Sequence, residues 1–172
     1  MAEIKPDKKP LVLLASARYA SATERLVKLL LAQEKYTCIN LLDFEINSYS
    51  YSGEYAEADA FLKVVRQMQQ HEKLIFATPV YWYAMSGLLK IFFDRLTDLV
   101  TIEKQMGRSL KGKEVYVLAV GSDEALPLGF EEPFRLTAAY FDMTYAGCYY
   151  RPEAKLIAPL PGSADFLRRL YL

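Results

Sequence analysis

The sequence is poor in the residues that make cross-links and metal sites. Its 172 residues include two cysteines, Cys38 and Cys148. Two are too few for a disulfide framework or a multi-cysteine metal site, and a reduced, cytoplasmic setting is the default expectation. Both are expected to pack in the core, on the second and fifth strands. Net charge is also missing, because 21 Lys and Arg balance 21 Asp and Glu. No global basic field draws the chain to nucleic acid, and no acidic tail marks a solvating segment. Long apolar runs are absent too: none approaches the roughly 18 residues that suggest membrane insertion. The first ten residues, Met1 to Pro10, mix charges of both signs without an apolar segment, unlike a signal peptide. Histidine occurs once, as His71. It falls near the end of an expected helix, where a histidine complements the dipole, and is a poor candidate for an acid or base.

What is present is an ordinary globular balance, 52% hydrophobic and 24% charged residues, which excludes a disordered chain. A chain of this length buries roughly 70% of its unfolded surface without a staple. We expect one domain over 1–172, with residues 1–10 as a flexible extension. Leu11-Val-Leu-Leu-Ala15 is a continuous apolar run, the mark of a parallel strand covered on both faces. Further strands are expected at 36–42, 73–77, 114–120 and 143–150. Helices are expected at 21–33, 56–70, 87–105, 130–141 and 163–171. Ser86 is placed as the N-cap of the long third helix, and Gly107 fits its C-terminal stop. Pro79 is expected to stop the third strand's ladder. Strict alternation of strand and helix argues for a doubly wound parallel sheet with helices on both faces. Periodicity leaves flavodoxin-like and half-Rossmann arrangements both open.

In such sheets a ligand sits beyond the carboxyl ends of the strands, where strand order reverses. Three loops emerge there. The first brings Ser16, Arg18, Ser21 and Thr23 to a helix start. Hydroxyls and free backbone N–H groups can donate to a phosphate there, and the helix dipole favours its charge. Simple capping accounts for one hydroxyl, not for three and an Arg. The loop has no glycine, which excludes the GxGxxG fingerprint and the Walker A loop. The loop after the third strand runs Thr78-Pro-Val-Tyr-Trp-Tyr-Ala-Met-Ser-Gly87. Three successive aromatics in a loop either line a groove for a flat ring, plug the sheet end or meet another subunit. The loop after the fourth strand opens with Gly121 and Ser122, a tight exit with accessible backbone.

Together, Ser16-x-Arg18-x-x-Ser21-x-Thr23 and Thr78-Pro-Val-Tyr-Trp-Tyr-Ala-Met-Ser-Gly-Leu-Leu-Lys-Ile-Phe-Phe-Asp94-Arg95 resemble the NADPH-dependent FMN reductase family. Arg108-Ser-Leu-Lys-Gly-Lys113 resembles the family's lead-in to the fourth strand. The resemblance covers about residues 11–150. It implies a flavodoxin-like three-layer sandwich whose five-stranded parallel sheet has the order 2-1-3-4-5. It implies bound FMN, with NADPH or NADH as co-substrate and a quinone, free flavin or similar small molecule as acceptor. By position, Ser16, Arg18, Ser21, Ala22 and Thr23 would hold the phosphate. Pro79, Val80, Tyr81, Trp82 and Tyr83 would lie along the isoalloxazine ring, and Gly121 and Ser122 would close its far side. No dedicated catalytic acid or base is needed, since hydride transfer is the flavin's chemistry. Three positions depart from the family pattern. Ala15 stands where a Gly usually precedes the Ser, Trp82 where many relatives have Asn, and the third loop lacks the double glycine of quinone-reductase relatives. The first bears on FMN affinity and the others on the second substrate. Two rival readings are a one-electron carrier, which zero net charge opposes, and a non-enzymatic protein that kept the fold and lost the flavin.

Two further features carry expectations. Leu89, Phe93, Leu96 and Val100 form one stripe of the long helix, with Leu88, Phe92 and Leu99 beside it. That is wider than packing on one sheet requires and leaves two readings, a homodimer or homotetramer contact or deeper burial within the monomer; the resemblance adds that relatives are commonly dimers through this region. The loop Asn47-Ser-Tyr-Ser-Tyr-Ser-Gly-Glu-Tyr55 is long for its place. Tyr49, Tyr51 or Tyr55 is expected to cover part of an active-site mouth, in its own subunit or a partner's, the alternative being a solvated loop.

Overall fold

The computed structural model describes residues 9–172. Of the expected extension, all but Lys9 and Pro10 lies outside the described residues. Strands β1 (Leu11–Leu14), β2 (Thr37–Asn40), β3 (Lys73–Pro79), β4 (Glu114–Gly121) and β5 (Thr144–Pro152) form one sheet of order β2-β1-β3-β4-β5. Every pairing is parallel. The flavodoxin-like order is therefore the one adopted. Order reverses between β1 and β3, so the switch point lies where the first and third loops emerge.

Seven α-helices, with 3-10 turns at Leu41–Asp43 and Glu153–Lys155, complete the described fold: α1 (Ala22–Leu30), α2 (Phe61–Gln69), α3 (Gly87–Arg95), α4 (Asp98–Thr101), α5 (Lys104–Arg108), α6 (Glu132–Tyr140) and α7 (Ser163–Tyr171). The sheet separates two cores. Leu11, Leu13, Leu74, Phe76, Val115 and Val117 pack with α2, α3 and α6. Val12, Leu14, Ile75, Ala77, Tyr116 and Leu118 pack with α1 and α7. Successive strand residues thus point to opposite covered faces, which is why β1 reads as an unbroken apolar run.

The structure corrects several expected boundaries. The long helix expected over 87–105 is three helices. Leu96 and Thr97 bond back three residues, to Phe93 and Asp94, tightening the turn, and Glu103 reaches back five residues to Asp98. Thr97, Val100, Thr101 and Ile102 are β-branched and weaken the helix here. Gly107 lies inside α5 rather than after it. A Cβ there would come within 2.2 Å of the Leu99 carbonyl oxygen, so glycine permits the close approach of α5 to α4. Helix α2 begins at Phe61, not 56. Asp59 accepts from the N–H groups of Asn47 (2.8 Å) and Phe61 (3.2 Å), tying the preceding segment into a loop. Pro79 is the last residue of β3 rather than a stop before its end, and the next N–H, from Val80, still bonds to the Val120 carbonyl at 2.7 Å. Cys38 is exposed on edge strand β2, against expectation, whereas Cys148 packs against the core. Burial pushes the Cys148 thiol up.

Candidate functional site

The carboxyl ends of β1 and β3 are joined by a buried polar knot. Ser86, the N-cap of α3 as expected, accepts from the Leu89 N–H and donates its hydroxyl to the Ala15 carbonyl at 2.6 Å. Its own N–H donates to Thr78 Oγ1 at 3.0 Å, and the Thr78 hydroxyl donates to the Pro79 carbonyl. Two short polar side chains, Ser86 and Thr78, thereby fix the loop after β1 against the base of the loop after β3.

From Ala15 the chain passes through Ser16 to α1. Ser21 caps the helix, accepting from the Glu24 N–H at 3.2 Å. Glu24 reaches back to the Ala20 N–H at 2.9 Å, completing a variant of the capping box that Ser21-x-x-Glu24 spells in the sequence. Lys28, one turn on, pairs with Glu24 and holds its carboxyl below the usual range. Ser21 is therefore a cap, but Thr23 is not: its Oγ1 is buried with no hydrogen-bond partner among the described residues. Buried hydroxyls without partners are rare and call for an explanation. Arg18 is exposed and forms no ion pair among the described residues.

These groups open onto a cavity of about 280 Å³ lined by Ser16, Arg18, Ser21, Ala22, Thr23, Pro79, Val80, Tyr81, Val120, Gly121, Ser122 and Glu153. Ten of the twelve residues singled out in the sequence meet there; Trp82 and Tyr83 do not. They form the tip of a reversal closed by two hydrogen bonds between Tyr81 and Ala84 and stand outside the cavity. Gly121 is required by close approach, since a Cβ would meet the Tyr150 hydroxyl at 2.8 Å and Val80 Cβ at 3.3 Å. Tyr150 in turn donates to the Asp123 carbonyl, holding the loop after β4.

Sequence reasoning missed Val120 and Glu153. Val120 reads as ordinary strand. Glu153 follows the end of β5, beyond the expected strand, and only the two extra residues of β5 bring it beside α1, where Arg25 donates to its carbonyl. Tyr49, Tyr51 and Tyr55 do not line the cavity. Tyr55 stacks on the Arg95 guanidinium at 3.4 Å and donates to Asp98. Tyr51 is exposed, edge-on to Tyr49. His71 lies at the opposite, amino-terminal edge of the sheet, buried, with Nδ1 2.8 Å from the Lys9 carbonyl.

The donor set fits a phosphate. It offers an unpartnered hydroxyl, an unpaired guanidinium and a helix start, with an apolar wall of Pro79, Val80 and Tyr81 beside them. No group of three or more acidic, His or Cys residues among the described residues could hold a metal ion. No helix of the described residues is long and apolar enough to cross a membrane.

Residues 9–153 match the model of the family described as NADPH-dependent FMN reductase. An Escherichia coli FMN reductase (NADPH) is 33% identical over 120 residues, covering 67% of this chain and 57% of that protein. A Bacillus subtilis protein provisionally named an NAD(P)H-dependent FMN-containing oxidoreductase, YwqN, is 34% identical over 102 residues, 55% of this chain and 56% of its own. The chain thus spans little more than half the length of these relatives. Among solved structures, the Trp repressor binding protein of Bacillus subtilis superposes with a TM-score of 0.68 at 23% identity, over 94% of this chain and 93% of that one. An NADH:FMN oxidoreductase in its apo form gives 0.66 at 19% identity, over 95% and 86%. At these identities the two structures speak to the fold.

Proposed function

The chain belongs to the NADPH-dependent FMN reductase family, and from that premise we propose that it is an FMN-dependent NAD(P)H oxidoreductase serving a quinone, free flavin or similar small acceptor. When bound, FMN supplies the redox chemistry, carrying a hydride equivalent from NADPH or NADH to the acceptor. The observation that carries the reading is the orphaned Thr23 hydroxyl beside Arg18, at the start of a helix and on the wall of the switch-point cavity.

The chain's own residues divide the work. Ser16, Arg18, Thr23 and the α1 N-terminus hold the phosphate. Pro79, Val80 and the Tyr81 ring flank the isoalloxazine and exclude water from one side, and Gly121 and Ser122 close the other. The Ser86–Ala15 bond keeps the two walls at a fixed separation. Glu153 also lines the cavity, so Arg18 is the side chain there that offsets its negative charge.

A second copy of the chain completes the assembly. Phe93, Leu96 and Val100 face Leu136, Tyr140 and Phe141 across an apolar groove of about 460 Å³ between α3, α4 and α6. Leu136 and Tyr140 are exposed in the single chain. The setting is the reducing cytoplasm, with both cysteines as free thiols.

An absorbance spectrum of the purified protein loaded with FMN, followed by anaerobic titration with NADPH and NADH, tests the function. Bleaching of the flavin band by either nucleotide is expected. A protein that binds no FMN, or binds it and is not reduced, overturns the reading.

A further inference from the structure

Among the residues that line the flavin cavity two are charged, Arg18 and Glu153, and their charges cancel. A phosphate monoester carries about 1.5 to 2 negative charges near neutral pH. A wall built to hold one tightly would collect cations, whereas here a carboxylate stands against the single guanidinium. The rest of the attraction falls to neutral donors, the Ser16 and Thr23 hydroxyls and the N–H groups that open α1.

The backbone fixes Glu153 in this place. β5 ends at Pro152, which is buried, and Leu156 is buried on the far side of the 3-10 turn Glu153–Lys155. Two guanidinium groups hold the turn through its main chain: Arg25 donates to the Glu153 carbonyl and Arg151 to the Lys155 carbonyl, each at 3.3 Å. Lys155 itself pairs with Glu124. These three cations bond to carbonyls or to another carboxylate, and the Glu153 carboxylate has no bonded partner among the described residues. An unpaired carboxylate on the wall of an anion site weakens the site for anions by like-charge repulsion. A ligand without the anionic group escapes that penalty.

We propose that Glu153 is a specificity-determining residue of the flavin cavity: it opposes the phosphate, narrows the preference for FMN over riboflavin, and so lets the site take the phosphate-free flavin as well; this rests on the function proposed above. Arg18 and Glu153 then act in opposite directions on one ratio, the affinity for FMN over that for riboflavin.

The test compares wild type with Glu153→Gln and Glu153→Asp in fluorescence titrations of the flavin-free protein with FMN and with riboflavin at low ionic strength. The readout is the ratio of the two dissociation constants, which a general change in folding does not move. Glu153→Gln is expected to bind FMN about 3- to 10-fold more tightly and riboflavin within about twofold of wild type. Glu153→Asp, which keeps the charge, should keep the wild-type ratio. An unchanged ratio in Glu153→Gln overturns the proposal, as does an equal gain for both flavins. So does a loss of riboflavin affinity, which would make Glu153 an acceptor for the ribityl hydroxyls. A Glu153→Asp protein that matches Glu153→Gln would put the effect on size rather than charge and overturns it too. A wild type that binds neither flavin overturns the preceding function and this inference with it, whereas one that binds both with an unmoved ratio overturns this inference alone.

Discussion

At the residue scale the proposed function turns on two side chains with few bonds of their own, Arg18 and Thr23. Arg18 is the one cation among the described residues that line the cavity. Replacing Arg18 with Ala should weaken FMN binding by about 1.5–3 kcal/mol, the usual loss for a hydrogen bond to a charged group. Riboflavin, which lacks the phosphate, should bind wild type and variant alike in a fluorescence titration. Equal FMN affinity in the two proteins would make Arg18 a bystander. Thr23 makes the complementary case. Its hydroxyl is buried without a partner among the described residues, a state that costs about 1–3 kcal/mol. Thr23→Val should therefore raise the urea midpoint of the flavin-free protein and weaken FMN binding, an opposite pair of effects that a purely structural threonine would not give. Arg18 and Thr23 were legible in the sequence because hydroxyls and Arg cluster at a helix start. The clustering places Ser21 at the phosphate as well, whereas the structure makes it the N-cap of α1, a role that Glu24 three residues on signals. Glu153 was not legible, since nothing local says that β5 runs two residues further and delivers it to the site.

Among elements, the long connection between β2 and α2 shows how local pattern misleads. Its tyrosines suggest a mouth over a site in this chain or a partner's; within the chain none lines the cavity, and Tyr55 is engaged elsewhere. Arg95, 1% exposed in its side chain, donates to Asp98 at 2.8 Å and to both oxygens of Asp59, and its guanidinium lies between the rings of Tyr55 and Phe61. Two carboxylates from different elements converge on one guanidinium, so the pairing is invisible along the chain. Burial pushes the Asp59 pKa up, but bonds from Arg95 and from the Asn47 and Phe61 N–H groups outweigh it and hold the carboxyl below its usual value. A depressed carboxylate contributes stability above its unfolded pKa, near about 3.9, and loses it as pH falls through the folded value. The wild-type urea midpoint should thus drop between pH 7 and pH 3 by more than that of Asp59→Asn, which has already lost the charge. Parallel midpoints over that range would show that Asp59 titrates normally. Removing Arg95 instead, as Arg95→Met, leaves two buried carboxylates unpaired and should cost about 3–5 kcal/mol.

For the whole molecule, strand order was the part that alternation alone left open, because helix-covered strands look the same in either arrangement. The loops and their resemblance supplied it, and the sheet adopts the order 2-1-3-4-5. The apolar stripe from Leu88 to Val100 is divided among three short helices rather than carried by one. Leu89, Phe92, Leu96 and Leu99 face the sheet and are buried, while Leu88, Phe93 and Val100 are only partly covered. Breaking into α3, α4 and α5 turns Phe93 and Val100 toward Leu136 and Tyr140 on α6, and the groove between them has no occupant from the chain's own described residues. An apolar surface of this kind marks an interaction site, and a twofold pair of identical grooves can bury both at once. Wild type should sediment as a dimer of 19.6 kDa chains at micromolar concentration. Leu136→Asp, which puts an unpaired charge in the middle of that contact, should sediment as the single chain and still bind FMN, because the cavity lies beyond the carboxyl ends of β1 and β3, away from this groove. A monomeric wild type would show that the groove is solvated. A Leu136→Asp protein that remains dimeric would move the subunit contact to another face of the molecule.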